Sequence, residues 1–280
     1  MTVKADLPTV IIAAYNEASV IDETLRTLVN ESNGFQILVV CNGCTDNTES
    51  KIKENFKSVL CYSIDTASKA LAIRHAESLQ PGFPRLYLDA DILLRGKDAT
   101  YLLGVSKRCH SPSLLIPSSQ VNFENCSMWV KKFYRAWYHS PYVKGQGYGA
   151  GAYILNQSAR SHFEQWPDLI ADDAFVRSRI DVSYTQIDHL HQVQVKAPKT
   201  LWSLIKVKTR SKLGNFQLRK FNQKHGFNSP KIKSTVTPDK KRLNMSDKFI
   251  YFTVNSIAYT LAKFKSTIGN EKWLRDESNR

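Results

Sequence analysis

Residues 87–94 read YLDADILL and place two carboxylates, Asp89 and Asp91, one residue apart just beyond the apolar run Leu86, Tyr87, Leu88. A short apolar run of this kind has the character of a buried strand, so the acidic pair falls at a strand exit. Hard carboxylate oxygens in such a pair suit Mg2+ or Mn2+, and an ion of that class takes only one or two carboxylates from a protein and the rest from phosphate and water. The ligand implied is a diphosphate. Alone, Asp-x-Asp at a strand end also reads as a turn, a helix cap or a solvated pair. The flanking sequence decides between these.

Upstream, short apolar runs alternate with helical patterns. TVIIAAYNE, residues 9–17, reads as a buried strand with a polar exit, and Val20, Ile21, Leu25, Leu28 and Val29 recur at helical spacing until Asn30–Gly34 end the element. ILVVCN, residues 37–42, is β-rich; GCTDNT turns the chain, and Asp46 or Thr48 can cap a helix through Phe56. SVLCYSI follows, then a helix over residues 68–79, and RLYLDAD closes the series. Strands separated by helices of this length predict parallel β-α-β units, whose ligands sit at the carboxyl ends of the strands. Tyr15, Asn42 and Asp91 all fall at such ends, which makes one pocket from three distant segments.

The 280 residues are 42% hydrophobic and 23% charged, an ordinary balance for a globular chain able to bury a core. No run reaches the roughly 18 apolar residues of a membrane span, and the opening MTVKADLP lacks a signal peptide's apolar stretch, so a cytoplasmic protein is expected. The five cysteines form an odd set without paired spacing and fit reduced thiols; the Cys41–Cys44 spacing has no second pair to complete a zinc site and is not read as a redox motif. Charge is concentrated in one stretch. Residues 196–242 carry 14 Lys plus Arg against one acid, net +13, while residues 1–195 are nearly neutral. Such a block serves an anionic partner or forms a solvated face. Without a zinc-finger, helix-turn-helix or RNA-binding signature, nucleic acid ranks below an anionic membrane surface.

Five segments in order, AAYNE, VVCNGCTDNT, KALA at Lys69–Ala72, DAD at Asp89–Asp91 and IADDAFVR at Ile170–Arg177, resemble family 2 glycosyltransferases of the GT-A fold. The resemblance spans most of residues 7–215. It implies an α/β, Rossmann-like, mixed but mainly parallel central sheet flanked by helices, with a basic helical C-terminal extension. The expected division is a catalytic domain over 1–198, its nucleotide-binding half about 1–95 and acceptor half about 96–198, followed by the extension 199–280. There is no G-x-G-x-x-G after the first strand, which argues against a dinucleotide-binding domain.

The resemblance also implies roles. Ala14 and Tyr15 would flank the nucleotide base, Glu17 the ribose or turn, and Lys69 the base or diphosphate. Asn42 stands where the family usually carries an Asp, and an amide, unlike a carboxylate, both donates and accepts. Asp89 and Ala90 would meet the ribose or a metal-bound water, and Asp91 would ligate the Mn2+ or Mg2+. Asp173 would be the general base with Asp172 beside it; one of two adjacent carboxylates should gain proton affinity. Gly145, Gly147, Gly149 and Gly151 would let backbone approach donor or acceptor, with Gly149 placed at the ligand. Trp166 could stack on a sugar or simply pack. In VKTRSKLGN, residues 207–215, Val207 and Ser211 replace the Gln and Trp of the processive Gln-x-x-Arg-Trp motif, while Lys208 and Arg210 remain to hold a diphosphate. His189 and His191 sit in an alternating run and read as sheet-face residues before metal ligands.

The implied activity is inverting transfer of one sugar from a nucleotide-diphospho-sugar, a UDP-sugar before others, to a glycan or lipid-linked acceptor in surface polysaccharide or glycolipid synthesis, peripheral at the inner face of the plasma membrane. A nucleotidyltransferase making sugar nucleotides, which usually needs a Gly-rich phosphate loop, and a catalytically silent binding module are the competing readings. In the tail, Phe249, Ile250, Phe252, Val254, Ile257, Leu261 and Phe264 give an apolar helix face suited to interfacial docking or to packing on the catalytic domain, packing being the expectation.

Overall fold

Strands and helices alternate as far as the acidic pair. The computed structural model describes residues 2–140, 143, 151–227 and 244–268. The first half runs β1 (Pro8–Ala14), α1 (Ile21–Val29), β2 (Gln36–Asn42), α2 (Thr48–Asn55), β3 (Leu60–Ile64), α3 (Lys69–Ser78) and β4 (Gly82–Asp89). There follow β5 (Ile92–Leu93), α4 (Gly96–Lys107), β6 (Leu114–Asn122), α5 (Met128–Tyr138), β7 (Ala152–Leu155) and α6 (Gln157–Arg160). The remainder is α7 (Asp172–Arg179), a 3-10 turn at Val182–Tyr184, β8 (Thr185–Lys196), α8 (Leu201–Lys224) and α9 (Met245–Thr267).

The sheet order is β3-β2-β1-β4-β7-β6-β8-β5. Its first four strands are parallel, with Ile12 beside Val39 and Leu88, while β7 runs antiparallel to both β4 and β6. Near-continuous apolar composition in β1 and β2 follows from burial on both faces. Val10, Ile12 and Ala14 join Ile21, Leu25 and Leu28 of α1 in one core cluster, and α3 packs across β1 and β2. Each fully buried Leu, Ile or Val of this set contributes about 1.5–3 kcal/mol relative to exposure.

Two compact units result. Among the described residues, one gathers 1–120, 149–168 and 179–195, and the other 121–148, 169–178 and 196–280. This differs from a cut at residue 198, because the extension shares its unit with α5 and α7. The physical reason lies in α5, which buries Val130, Phe133, Ala136 and Trp137 and needs helices to cover them. Phe133 stacks on Tyr251 of α9 at 5.3 Å, and Arg135 Nε meets Asp247 Oδ2 at 3.3 Å. The expected packing of the tail holds for one face only. Helix α9 buries Val254, Ala258 and Ala262, whereas Phe249, Phe252, Ile257 and Phe264 are exposed.

Candidate nucleotide-sugar site

The loops leaving β1 and β2 are stitched together by side chains. Asn16, held at φ 52°, accepts through Oδ1 from the backbone N–H groups of Thr45 (2.7 Å) and Asp46 (3.2 Å). Asp46 accepts from Thr48 N at 3.1 Å and from Ala18 N at 3.2 Å, so it caps the entry to α2 and grips the opposite loop. Thr48 Oγ1 in turn receives Glu17 N at 2.7 Å, and the Glu17 carbonyl accepts from Val20 N and Ile21 N to open α1. Glu17 is buried and Tyr15 half-buried.

Cys44 belongs to the same weave. Its thiol donates to Ala14 O at 3.3 Å and accepts from Asn16 N at 3.4 Å. A bond with Cys41 pulls Cys44 down to about 7, while the same partnership and burial push Cys41 up. All five cysteines are free thiols.

Asn42 is almost fully buried. Oriented to satisfy both ends, its amide donates to Ala14 O at 2.9 Å and accepts from Ser68 N at 3.2 Å. A carboxylate could not make the first bond. The Asn is therefore explained by the framework it ties, from the end of β1 to the start of α3. Beside it, a Cβ on Gly43, at φ 62°, would come within 2.7 Å of Ala67 N, so this turn requires glycine.

Lys69 opens α3 behind the N-cap Ser68, whose side chain accepts from Leu71 N and donates to Asp168 Oδ1 at 3.3 Å. Its Nζ reaches Asp89 Oδ1 at 2.5 Å. Asp89 N donates to Gly151 O at 2.8 Å, and the buried Ala90 accepts from Thr24 Oγ1 at 2.8 Å. Gly151 sits at φ 62°, and a Cβ there would overlap the Asp89 carboxylate. Gly151 thus seats Asp89; Gly145, Gly147 and Gly149 lie outside the described residues.

Asp91 is exposed and Asp89 half-buried, and both offer hard oxygen donors. Among the described residues no three His, Cys, Asp or Glu side chains converge on a common ion. Two carboxylates at an open strand end, one of them seated by an obligatory glycine, fit Mg2+ or Mn2+ shared with a diphosphate and water.

Beneath this site lies a buried polar cluster that the sequence did not reveal. Glu77 of α3 accepts from Tyr87 OH (2.6 Å), Arg85 Nη1 (3.1 Å), Arg160 Nε and Nη2 (both 2.8 Å) and Trp166 Nε1 (3.0 Å). Burial pushes its carboxyl up, but Arg160, Tyr87 and Arg85 outweigh that and hold it below the usual range. Trp166 is only 1% exposed, with its ring 5.0 Å from that of Tyr87 and 5.1 Å from that of Phe163. The sugar-stacking assignment of Trp166 is therefore corrected: it is core, anchored by its indole N–H.

In the second unit, Asp172 is buried and Asp173 half-buried in the first turn of α7, where the helix dipole favours negative charge. Asp173 Oδ2 is 3.5 Å from Arg177 Nη2. Helix α8 holds this segment. Gln217 Oε1 accepts from Ile170 N at 3.1 Å, Phe221 meets Phe175 at 5.8 Å, and a Cβ on Gly214 would stand 3.0 Å from Ala171 Cβ. Lys208 of α8 lies over Phe133, Tyr134 and Trp137 at 5.2–5.6 Å, and burial, helped by nearby Lys212, pushes its ammonium down to about 8. Arg210 is half-buried on the same helix. His191, on β8 in the first unit, stacks on Tyr101 at 4.1 Å with Nδ1 3.2 Å from Asp188 Oδ1, and His189 is exposed.

Residues 9–76, the stretch holding Tyr15, Asn42 and Lys69, match the family model for glycosyl transferase family 2. Over that segment the chain is similar to family 2 glycosyltransferases. No curated protein matches the chain. Among solved structures, a mannosyltransferase from Pyrobaculum calidifontis in complex with GDP-Man and Mn2+ is 16% identical with TM-score 0.60, covering 97% of this chain and 78% of that one. A mannosyl-3-phosphoglycerate synthase from Rubrobacter xylanophilus is 16% identical with TM-score 0.54, over 85% and 80% of the two chains. S. aureus TarS 1–349 is 14% identical with TM-score 0.50, over 96% and 93%. At these identities the likeness shows the GT-A fold. Together with the family match over residues 9–76, it makes the chain similar to glycosyltransferases of the GT-A fold. Among the described residues no helix is long and apolar enough to cross a membrane.

Proposed function

We propose that this chain transfers a single sugar, with inversion, from a nucleotide-diphospho-sugar to an acceptor hydroxyl. The observation that carries the reading is the joining of the β1, β2 and β4 exits and the start of α3, with Lys69 Nζ 2.5 Å from Asp89 Oδ1. A cation and two acids at the carboxyl ends of parallel strands suit a diphosphate with its metal. Tyr15, Ala14 and Asn42 would frame the base and Glu17 the ribose side. Lys69, released from Asp89, would neutralise phosphate. Asp91, with Asp89, would hold Mg2+ or Mn2+, which when bound supplies Lewis-acid stabilisation of the departing diphosphate.

Asp173 is assigned as general base. It takes the acceptor hydroxyl proton as the acceptor oxygen bonds to the anomeric carbon and the carbon–oxygen bond to diphosphate breaks. The products are a glycoside of inverted configuration and a nucleoside diphosphate, and no covalent intermediate is required. Asp172 is assigned beside it as the second acid of the pair, in the first turn of the same helix. Lys208 and Arg210 are retained as candidate diphosphate contacts, Lys208 on condition that it leaves its aromatic rings. A UDP-sugar donor, a glycan or lipid-linked acceptor and a cytoplasmic, membrane-peripheral place complete the reading. The family match favours it over nucleotidyl transfer.

Incubation with UDP-, GDP- and TDP-sugars plus Mn2+ tests the proposal. Nucleoside diphosphate release is expected, and pyrophosphate release would instead mark a nucleotidyltransferase. Asp173→Asn should lower kcat by about 10²–10⁴-fold while donor affinity stays; an unchanged kcat removes Asp173 from the role of base.

A further inference from the structure

Helix α9 has two apolar faces, and the described residues cover one of them. Val254, Ala258 and Ala262 are buried, and Tyr251 stacks on Phe133. Away from them, Met245, Phe249, Phe252, Ile257, Phe264 and Ile268 are exposed, with Phe249, Phe252 and Phe264 each more than 60% exposed. Exposed aromatics along six turns of a helix mark a surface that something covers.

Charge selects the occupant. Lys248 and Lys263 are exposed along the same helix, whose single acid, Asp247, is buried against Arg135 and contributes no surface negative charge. Helix α8, which packs along α9, carries seven Lys and Arg and no acid. A second copy would bring the same positive charges to the face and be repelled. The complementary partner is apolar within and anionic at its rim, which describes the headgroup region of an anionic bilayer. The helix cannot span, but at about 1.5 Å per residue its 23 residues make a rod of roughly 35 Å.

We propose that α9 lies in the plane of an anionic lipid interface, with the Phe249, Phe252 and Phe264 side immersed and Lys248 and Lys263 among the headgroups. This deepens the membrane-peripheral placement of the proposed function, on which it rests, by naming the helix and the lipid charge; it does not depend on the sugar-transfer chemistry.

Co-sedimentation of the full chain with vesicles of phosphatidylcholine alone, or mixed with phosphatidylserine, tests the proposal. Binding is expected to the mixed vesicles and to weaken with salt. The combined variant Phe249→Ser, Phe252→Ser, Phe264→Ser should bind at least about tenfold more weakly. Lys248→Ala and Lys263→Ala should each cost about fivefold. Far-UV circular dichroism and donor-induced thermal stabilisation of these exposed variants should match the parent. Independently of any loss variant, the fluorescence that Phe249→Trp adds to the parent signal should be quenched by lipids brominated on their chains. Absence of binding to mixed vesicles, equal binding by the triple serine variant, or no quenching of the signal added by Phe249→Trp overturns the proposal. So does a wild-type dimer in sedimentation velocity that the serine variant dissolves, which would make the occupant a second copy.

Discussion

The strand ends of the first unit and the helices of the second handle positive charge in opposite ways. Around β4, Lys69 is paired with Asp89, and Arg85 and Arg160 converge on one buried carboxylate, Glu77. In the second unit, α8 carries seven basic side chains and no acid, and Lys208 rests on three aromatic rings. Paired charges at fixed positions suit a site that must present a set geometry to a diphosphate. An excess of positive charge around an aromatic core provides a field for anionic partners, with the ring faces partly offsetting the cost of burying Lys208.

The largest expected effect breaks the ordered side of this comparison. Gly151→Val places side-chain atoms where the Asp89 carboxylate sits, and it should lower kcat/KM about a hundredfold by displacing that group. Steady-state kinetics check this, and parent-like kinetics would show that the seating of Asp89 is irrelevant.

Next in size is the cluster beneath the site. Glu77→Gln leaves Arg85 and Arg160 buried without their carboxylate and should cost about 3 kcal/mol in urea unfolding. The pH sign follows from the depressed carboxyl. Its stabilisation is complete above the unfolded value near about 4.3 and is lost as pH falls through the lower folded value. The gap between parent and variant should therefore close in acid.

The smallest effect sharpens the other side. Lys208 has its ammonium pushed down to about 8. Between that pH and the unfolded value near about 10.4 the unfolded chain binds more protons, so stability should rise with pH across this window. Lys208→Met should remove the rise, as followed by urea midpoints, and NMR titration of the lysine should centre near about 8 in the parent. A midpoint near the unfolded value would mean that the ring faces dominate over burial.

The first unit was more legible in the sequence than the second, for physical reasons. Apolar strands, turn residues and helical periodicity are local, and the expected elements from residue 9 to Asp89 all form. What could not be read was partnership across distance. Nothing near Asn42 in the sequence shows that its amide ties Ala14 to Ser68. Trp166 could stack on a sugar or pack, and what decides for packing is its contact with Tyr87 and Glu77, far away in sequence. Gly151 is one of four closely spaced glycines in the sequence, and its approach to Asp89 is visible only in the fold. In the second unit, the apolar residues of α9 read as one broad face, yet among the described residues its neighbours cover only the Val254–Ala258–Ala262 side. Helix periodicity reports which residues could be buried, and tertiary packing decides which are.

The central claim is that Asp89 and Asp91 hold a divalent ion with the donor's diphosphate. Calorimetric titration of UDP and GDP into the chain, with Mn2+ and with chelator, measures this directly in the parent and in Asp91→Ala. The expected result is Mn2+-dependent nucleotide binding in the parent that is lost in the variant. Equal affinity in chelator, or unchanged Mn2+-dependent binding by Asp91→Ala, would contradict it.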